Sequence, residues 1–176
     1  MTRASRPVDS LLPLPQVHPL NAKLHIRSVL VLCEGNHCRA PIAEALLASA
    51  LGPAIRVGSA GLKALVGAPA APEAVDLLRS VNLDLSRHRG RQFTPAMAYE
   101  ADLILVMDAG QKEWCTRLAP GATGRVFLLG HWVSTPPLEI ADPFRLGAEA
   151  FRKAFDDIQQ SVSAWVPHLL AGSRSA

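Results

Sequence analysis

The chain is expected to fold as an α/β domain, an open parallel sheet with helices on both faces. Two observations lead there. Apolar runs of about five residues without polar alternation are the mark of strands buried on both sides. Between them lie stretches whose apolar residues recur at helical spacing, and this alternation is the pattern of a parallel sheet built by helical crossovers. A length of 176 residues, 49% hydrophobic and 19% charged, suits one compact domain with a substantial core.

Ser28-Val29-Leu30-Val31-Leu32 is the first buried strand. Pro41 to Leu51 follows as a helix, with proline at its favoured first position and Ile42, Ala45 and Leu46 on one face. Ile55 to Ser59 reads as a shorter second strand ending in Ala60-Gly61. Val75, Leu77 and Leu78 recur at helical spacing and predict a helix over Pro72 to Val81. Leu103 to Met107 is the third strand, Gln111 to Leu118 a helix, and Arg125 to Leu129 the fourth strand. A loop holding Pro136, Pro137, Asp142 and Pro143 comes next. The last helix spans Ala148 to Trp165, with Phe151, Phe155, Ile158, Val162 and Trp165 turned inward. No repeat or internal boundary interrupts the series. Residues 27–170 are expected to form the domain, between a flexible extension over 1–26 and a short tail over 171–176.

Composition excludes several function classes. The net charge is +3, and much of the excess lies near the ends, at Arg3, Arg6, Lys23, Arg27 and Arg174. No basic run is interleaved with aromatics, so a nucleic-acid partner is not expected. No stretch of about 18 apolar residues exists to enter a membrane. Pro7, Pro13, Pro15 and Pro19 break up the first residues and argue against a signal peptide. Three cysteines, two in one short loop, are not the even framework of a secreted disulfide domain, and a reducing cytoplasm suits them better.

The chemistry concentrates in Cys33-Glu34-Gly35-Asn36-His37-Cys38-Arg39, between the first strand and its helix. Arg39 offers a planar fork of donors able to grip two oxygens of a phosphate. The backbone N–H groups of Glu34 to Cys38 can surround the other oxygens if Gly35 and Asn36 take unusual dihedrals. The following helix points its positive end at the same spot, which should lower the Cys33 pKa and favour a thiolate nucleophile. In an open parallel sheet, ligands bind beyond the carboxyl ends of the strands, where Cys33 sits. Asp142, before Pro143, is either a proton donor or a turn residue on this reading alone.

This loop resembles the phosphate loop of the low-molecular-weight protein tyrosine phosphatases. The similarity extends to Ser59-Ala60-Gly61, to Gly130-His131-Trp132 and to Ile140-Ala141-Asp142-Pro143-Phe144-Arg145, and it covers about residues 27 to 168. The last segments look most like the bacterial branch found with capsule and exopolysaccharide machinery. The resemblance implies a flavodoxin-like three-layer fold with a four-stranded parallel sheet in the order 2-1-3-4. It also implies hydrolysis of phosphotyrosine through a cysteinyl-phosphate, with Cys33 as nucleophile, Arg39 as phosphate clamp and Asp142 as acid and then base. Pro143 would stiffen the acid's loop and Phe144 would wall the substrate ring, while Glu34 and His37 would stand at the pocket rim. No metal or other cofactor is needed, since guanidinium, amides and helix supply the positive charge. The implied partner is a phosphotyrosine protein, the tail of a membrane tyrosine autokinase; a phosphorylated sugar intermediate is the other candidate.

Ala40 departs from the family, which usually has serine there to hydrogen-bond the thiolate. If Pro41 opens the helix, position 40 is also the N-cap, where alanine forfeits roughly 0.5–2 kcal/mol. A slower enzyme with a higher Cys33 pKa is the expected consequence. Compensation by water or a neighbour, or a phosphotyrosine binder with reduced catalysis, are the alternatives. Cys38 is either a redox partner of Cys33, as in relatives with this pair, or a small filler beneath the loop. Thiol-dependent arsenate reduction uses a similar loop but needs two further cysteines, and only Cys115 remains. Cys115 is expected in the core and His131 in a structural role.

Overall fold

The structure, a computed structural model, describes residues 25–173 except positions 135 and 137. Most of the expected N-terminal extension, Pro137 and the end of the tail lie outside the described residues.

Four strands form one parallel sheet: β1 (Ser28–Cys33), β2 (Arg56–Gly61), β3 (Leu103–Val106) and β4 (Val126–Leu128). The order is β2-β1-β3-β4, as the family resemblance implied. In register, Val29 lies beside both Val57 and Leu103. The chain crosses from β1 to one side for β2 and to the other for β3. The carboxyl end of β1 is therefore the point where the winding reverses and a crevice opens.

Among the described residues five α-helices surround the sheet: α1 (Arg39–Leu51), α2 (Pro72–Ser80), α3 (Pro95–Glu100), α4 (Ala109–Leu118) and α5 (Ala148–Ser173). Alternate side chains of β1 enter two separate cores, as the two-residue period of a strand requires. Val29, Val31 and Cys33 face the layer that includes α1, α2 and α5. Leu30 and Leu32 face Ala98, Cys115 and Ala119 around α3 and α4. The expected inward residues of α5, Phe151 through Trp165, are all buried. Trp165 also donates from Nε1 to the Leu129 carbonyl at 2.7 Å.

Several local expectations are corrected. α1 begins at Arg39 with Cys38 at its N-cap, so Ala40 lies inside the helix and the capping penalty assigned to it does not arise. Its buried face is Ile42, Ala43, Leu47 and Leu51, with Ala45 and Leu46 only partly covered, because packing against α5 rotates the stripe. α3 was not foreseen: six residues are too few to establish a helical period. α5 runs past Trp165, through Pro167, to Ser173.

Candidate active site

The loop after β1 is shaped by where its carbonyls go. Cys33 O accepts from Leu62 N–H at 2.9 Å, Glu34 O from Lys63 N–H at 2.8 Å, and Gly35 O from Leu65 N–H at 2.9 Å. Asn36 O accepts from His88 Nε2 at 2.8 Å, and His37 O from Ala71 N–H at 2.9 Å. Five successive carbonyls are thus held by the surrounding segments. Peptide planarity turns N–H groups away from their carbonyls, which leaves the loop amides to face its interior. Gly61 makes this embrace feasible. A Cβ there would lie 2.7 Å from Glu34 O and 2.9 Å from Asn36 N, so no larger residue fits behind the loop.

Asn36 bends the loop at φ +51°, whereas Gly35 does not enter the left-handed region. The expectation of unusual dihedrals thus holds for only one of the pair. Asn36 is wholly buried and doubly anchored: Nδ2 donates to Ser59 Oγ at 2.8 Å, and Oδ1 accepts from Arg91 N–H at 3.0 Å. Ser59 Oγ in turn donates a hydrogen bond to Glu44 Oε2 on α1. The sequence reading missed Glu44, His88 and Arg91, none of which lies in a motif.

Arg39 is buried, with Nη1 donating to the Ile140 carbonyl at 2.9 Å and Nη2 to Asp142 Oδ2 at 2.5 Å. Asp108, the N-cap of α4, stands 3.9 Å from Nη1. Arg39 Nε has no hydrogen-bond partner, an exception among buried polar side-chain atoms of the described residues. The fold therefore brings Asp142 to Arg39 across 103 residues of sequence.

Cys33, Glu34, Gly35, His37, Cys38, Asp142 and Phe144 line one cavity of about 250 Å³, joined by Lys63 and Leu65, which motif reading did not supply. Glu34 and Lys63 are paired at 3.6 Å, both more than half exposed. Phe144 stands at the wall, 45% exposed, and its N–H donates to Asp142 Oδ1 at 3.1 Å. His131 lies away from this cavity, packed against Phe127, Trp132 and Trp165.

The expected lowering of the Cys33 pKa is overturned. Burial pushes the thiol up from its ordinary value, against the opposing pull of the Arg39 guanidinium and the N–H groups of Ala40 and Asn36; the Asp142 carboxylate pushes it up further. Cys38 is pushed up to about 12 by burial and by Cys33 and Asp142 beside it. Its Sγ lies 4.0 Å from Asp142 Oδ1, and both cysteines are free thiols. Cys115 is fully buried on the opposite face of the sheet, where burial raises its thiol to about 11.

Sequence and structure comparisons place the chain among known proteins. Residues 28–174 match the family model described as low molecular weight phosphotyrosine protein phosphatase. The probable low molecular weight protein-tyrosine-phosphatase EpsP of Ralstonia nicotianae is 45% identical over 146 residues, 83% of this chain and 98% of its own. The tyrosine phosphatase Wzb from Escherichia coli K30, solved in complex with sulphate, superposes with a TM-score of 0.78 at 40% identity, covering 82% of this chain and 99% of that one. Vibrio vulnificus Wzb, solved with benzylphosphonate, gives a TM-score of 0.77 at 37% identity, over 81% and 98% of the two chains. With fold, loop and relatives in accord, the chain belongs to the low molecular weight protein tyrosine phosphatases, enzymes that hydrolyse phosphate esters.

Proposed function

We propose that the protein hydrolyses phosphotyrosine through a cysteinyl-phosphate formed on Cys33. One observation carries this reading: an inward-facing amide loop closes on Arg39, a buried guanidinium whose Nε still lacks an acceptor. Such a cradle suits the oxygens of a phosphate, and Cys33 lies in its floor.

Arriving phosphate takes over Arg39 from Asp142, and its oxygens are held by Nε, Nη2 and the loop amides. The Cys33 thiol gives its proton to the Asp142 carboxylate that the phosphate has displaced, and the resulting thiolate attacks phosphorus while the bond to the tyrosyl oxygen breaks. Asp142 protonates the departing oxygen, so that tyrosine leaves neutral. Asp142 then takes a proton from water, whose oxygen attacks phosphorus and breaks the S–P bond. Inorganic phosphate and the Cys33 thiolate are the products. Pro143 restrains the segment that presents Asp142, and Phe144 walls the tyrosine ring.

The substrate protein we favour is the tyrosine-phosphorylated tail of a membrane autokinase of exopolysaccharide synthesis, reached in the cytoplasm. The match of the Ile140–Arg145 segment to that bacterial branch, together with relatives named EpsP and Wzb, supports this. Arsenate reduction fits less well, because Cys115 is sealed in the opposite core and cannot relay a disulfide. The catalytic unit is taken as residues 27–170.

Steady-state hydrolysis of an aryl phosphate tests the reading. Cys33→Ser should abolish turnover. Asp142→Asn should cost roughly 10²–10⁴-fold on phosphotyrosine and less where the leaving group is a better anion. Full activity in Cys33→Ser would exclude the covalent route.

A further inference from the structure

The side chain of His37 takes no part in the chemistry above, yet it makes two specific contacts at the cavity mouth. Nδ1 lies 2.8 Å from the carbonyl oxygen of Pro69. A carbonyl can only accept, so Nδ1 carries the hydrogen and the ring's orientation is set by that bond. The imidazole stands edge-on to Phe144, with centroids 5.8 Å apart and planes at 85°. This is the favoured T-shaped arrangement of two rings.

The contacts join three separated pieces of chain. His37 belongs to the phosphate loop, Pro69 to the segment between β2 and α2, and Phe144 to the segment carrying Asp142. Phe144 is half-exposed, so burial alone does not select its rotamer. Besides His37, its ring meets the Arg145 guanidinium at 5.1 Å, from a residue itself bent to φ +62°. Phe144 and Leu65 supply the large apolar surfaces of the 250 Å³ cavity above Cys33.

We propose that His37 is the positioning residue of the leaving-group slot: it fixes the Phe144 ring in the cavity shared with Leu65 and so selects flat aromatic esters over compact alkyl ones. The proposal rests on the phosphatase reading. It assigns the His37 side chain a role separate from its backbone N–H, which serves the phosphate loop and survives any substitution except proline.

The test compares His37→Ala and His37→Phe with wild type in two measurements, the KM for 4-nitrophenyl phosphate and the inhibition constant of inorganic phosphate. His37→Ala is expected to raise KM roughly three- to tenfold, the size of one aromatic contact, while the phosphate constant stays within about twofold. His37→Phe keeps a ring edge for Phe144 and should restore at least half of the lost affinity, on a logarithmic scale. A parallel rise of KM and the phosphate constant would mean the loop had merely been disrupted, and would overturn the proposal. An unchanged KM in His37→Ala, or His37→Phe no better than alanine, would overturn it too. Failure of wild type to hydrolyse the ester or bind phosphate would instead strike at the phosphatase reading itself.

Discussion

Replacing Asn36 by alanine is predicted to be among the most damaging changes at the site, although the residue performs no chemistry. Its side chain satisfies Ser59 Oγ and the Arg91 N–H, and its backbone sits at φ +51° with no exposed surface. Alanine leaves the part-buried Arg91 N–H without its acceptor and takes from Ser59 Oγ one of its two bonds, where a buried group left wholly unpaired costs about 1–3 kcal/mol. It also places a residue less tolerant than asparagine in the left-handed region, at a further cost of about 1 kcal/mol. Because Ser59 keeps its bond to Glu44, the lower half of that range applies, and a total of about 3–5 kcal/mol is expected. For a domain whose total stability lies within about 5–15 kcal/mol, the melting temperature should fall by roughly 6–20 °C. Thermal unfolding of Asn36→Ala and Asn36→Gly, with the inhibition constant of phosphate measured on each, separates the parts. Glycine accepts the dihedral but restores neither hydrogen bond, so it should recover no more than about 1 kcal/mol. Both variants should bind phosphate at least tenfold more weakly. A loss below about 1 kcal/mol with phosphate binding intact would refute the claim that this network shapes the loop.

Two further predictions concern the cysteines. Ala40→Ser places a hydroxyl at the position whose N–H already faces the Cys33 sulfur. A hydrogen bond to a thiolate at about 1.5–3 kcal/mol corresponds to roughly one to two pH units. Because burial holds the Cys33 thiol above its ordinary value, thiolate accumulates only as pH rises, so the substitution should move the acid limb of both alkylation and turnover to lower pH. An unmoved iodoacetamide profile would count against this. Peroxide followed by dithiothreitol should return most activity to wild type but little to Cys38→Ser, since Cys38 shares the cavity with Cys33 and can capture its sulfenic acid as a disulfide. Equal recovery in both would leave Cys38 as packing alone.

What could be read in advance depended on the range of the interaction. Buried strands announce themselves within five residues, and β1, β2, β3 and β4 lie within a residue or two of where apolar runs placed them. α3 escaped because its six residues bury only Ala98. The phosphate loop was legible because its parts are consecutive. Its supports were not, because Ser59, His88 and Arg91 reach Asn36 from 23 to 55 residues away, through single hydrogen bonds that leave no periodic trace. The error over the Cys33 pKa is of the same kind. Helix and guanidinium are visible locally, but the desolvation that outweighs them depends on how completely the fold covers the sulfur.

That error bears on how the enzyme is poised. Arg39 is too deeply buried to stand without a counter-charge, and Asp142, with its side chain 40% exposed, reaches in to supply one. On the proposed reading, the free enzyme therefore holds a protonated Cys33 beside an Asp142 carboxylate, the reverse of what attack requires. Incoming phosphate resolves this by replacing Asp142 on the guanidinium. The carboxylate loses its cation, the sulfur keeps it, and one proton relocated from thiol to carboxylate creates nucleophile and general acid together. On this reading both competent forms arise only when phosphate occupies the cradle. Breaking the pair from the other side separates cause from coincidence. Asp142→Asn removes the competing carboxylate and the charge that helps raise the sulfur, so Cys33 alkylation in the free enzyme should begin at lower pH than in wild type even as turnover falls. An alkylation profile unchanged in Asp142→Asn would mean that the Asp142 charge does not reach the Cys33 sulfur and that substrate does not couple them.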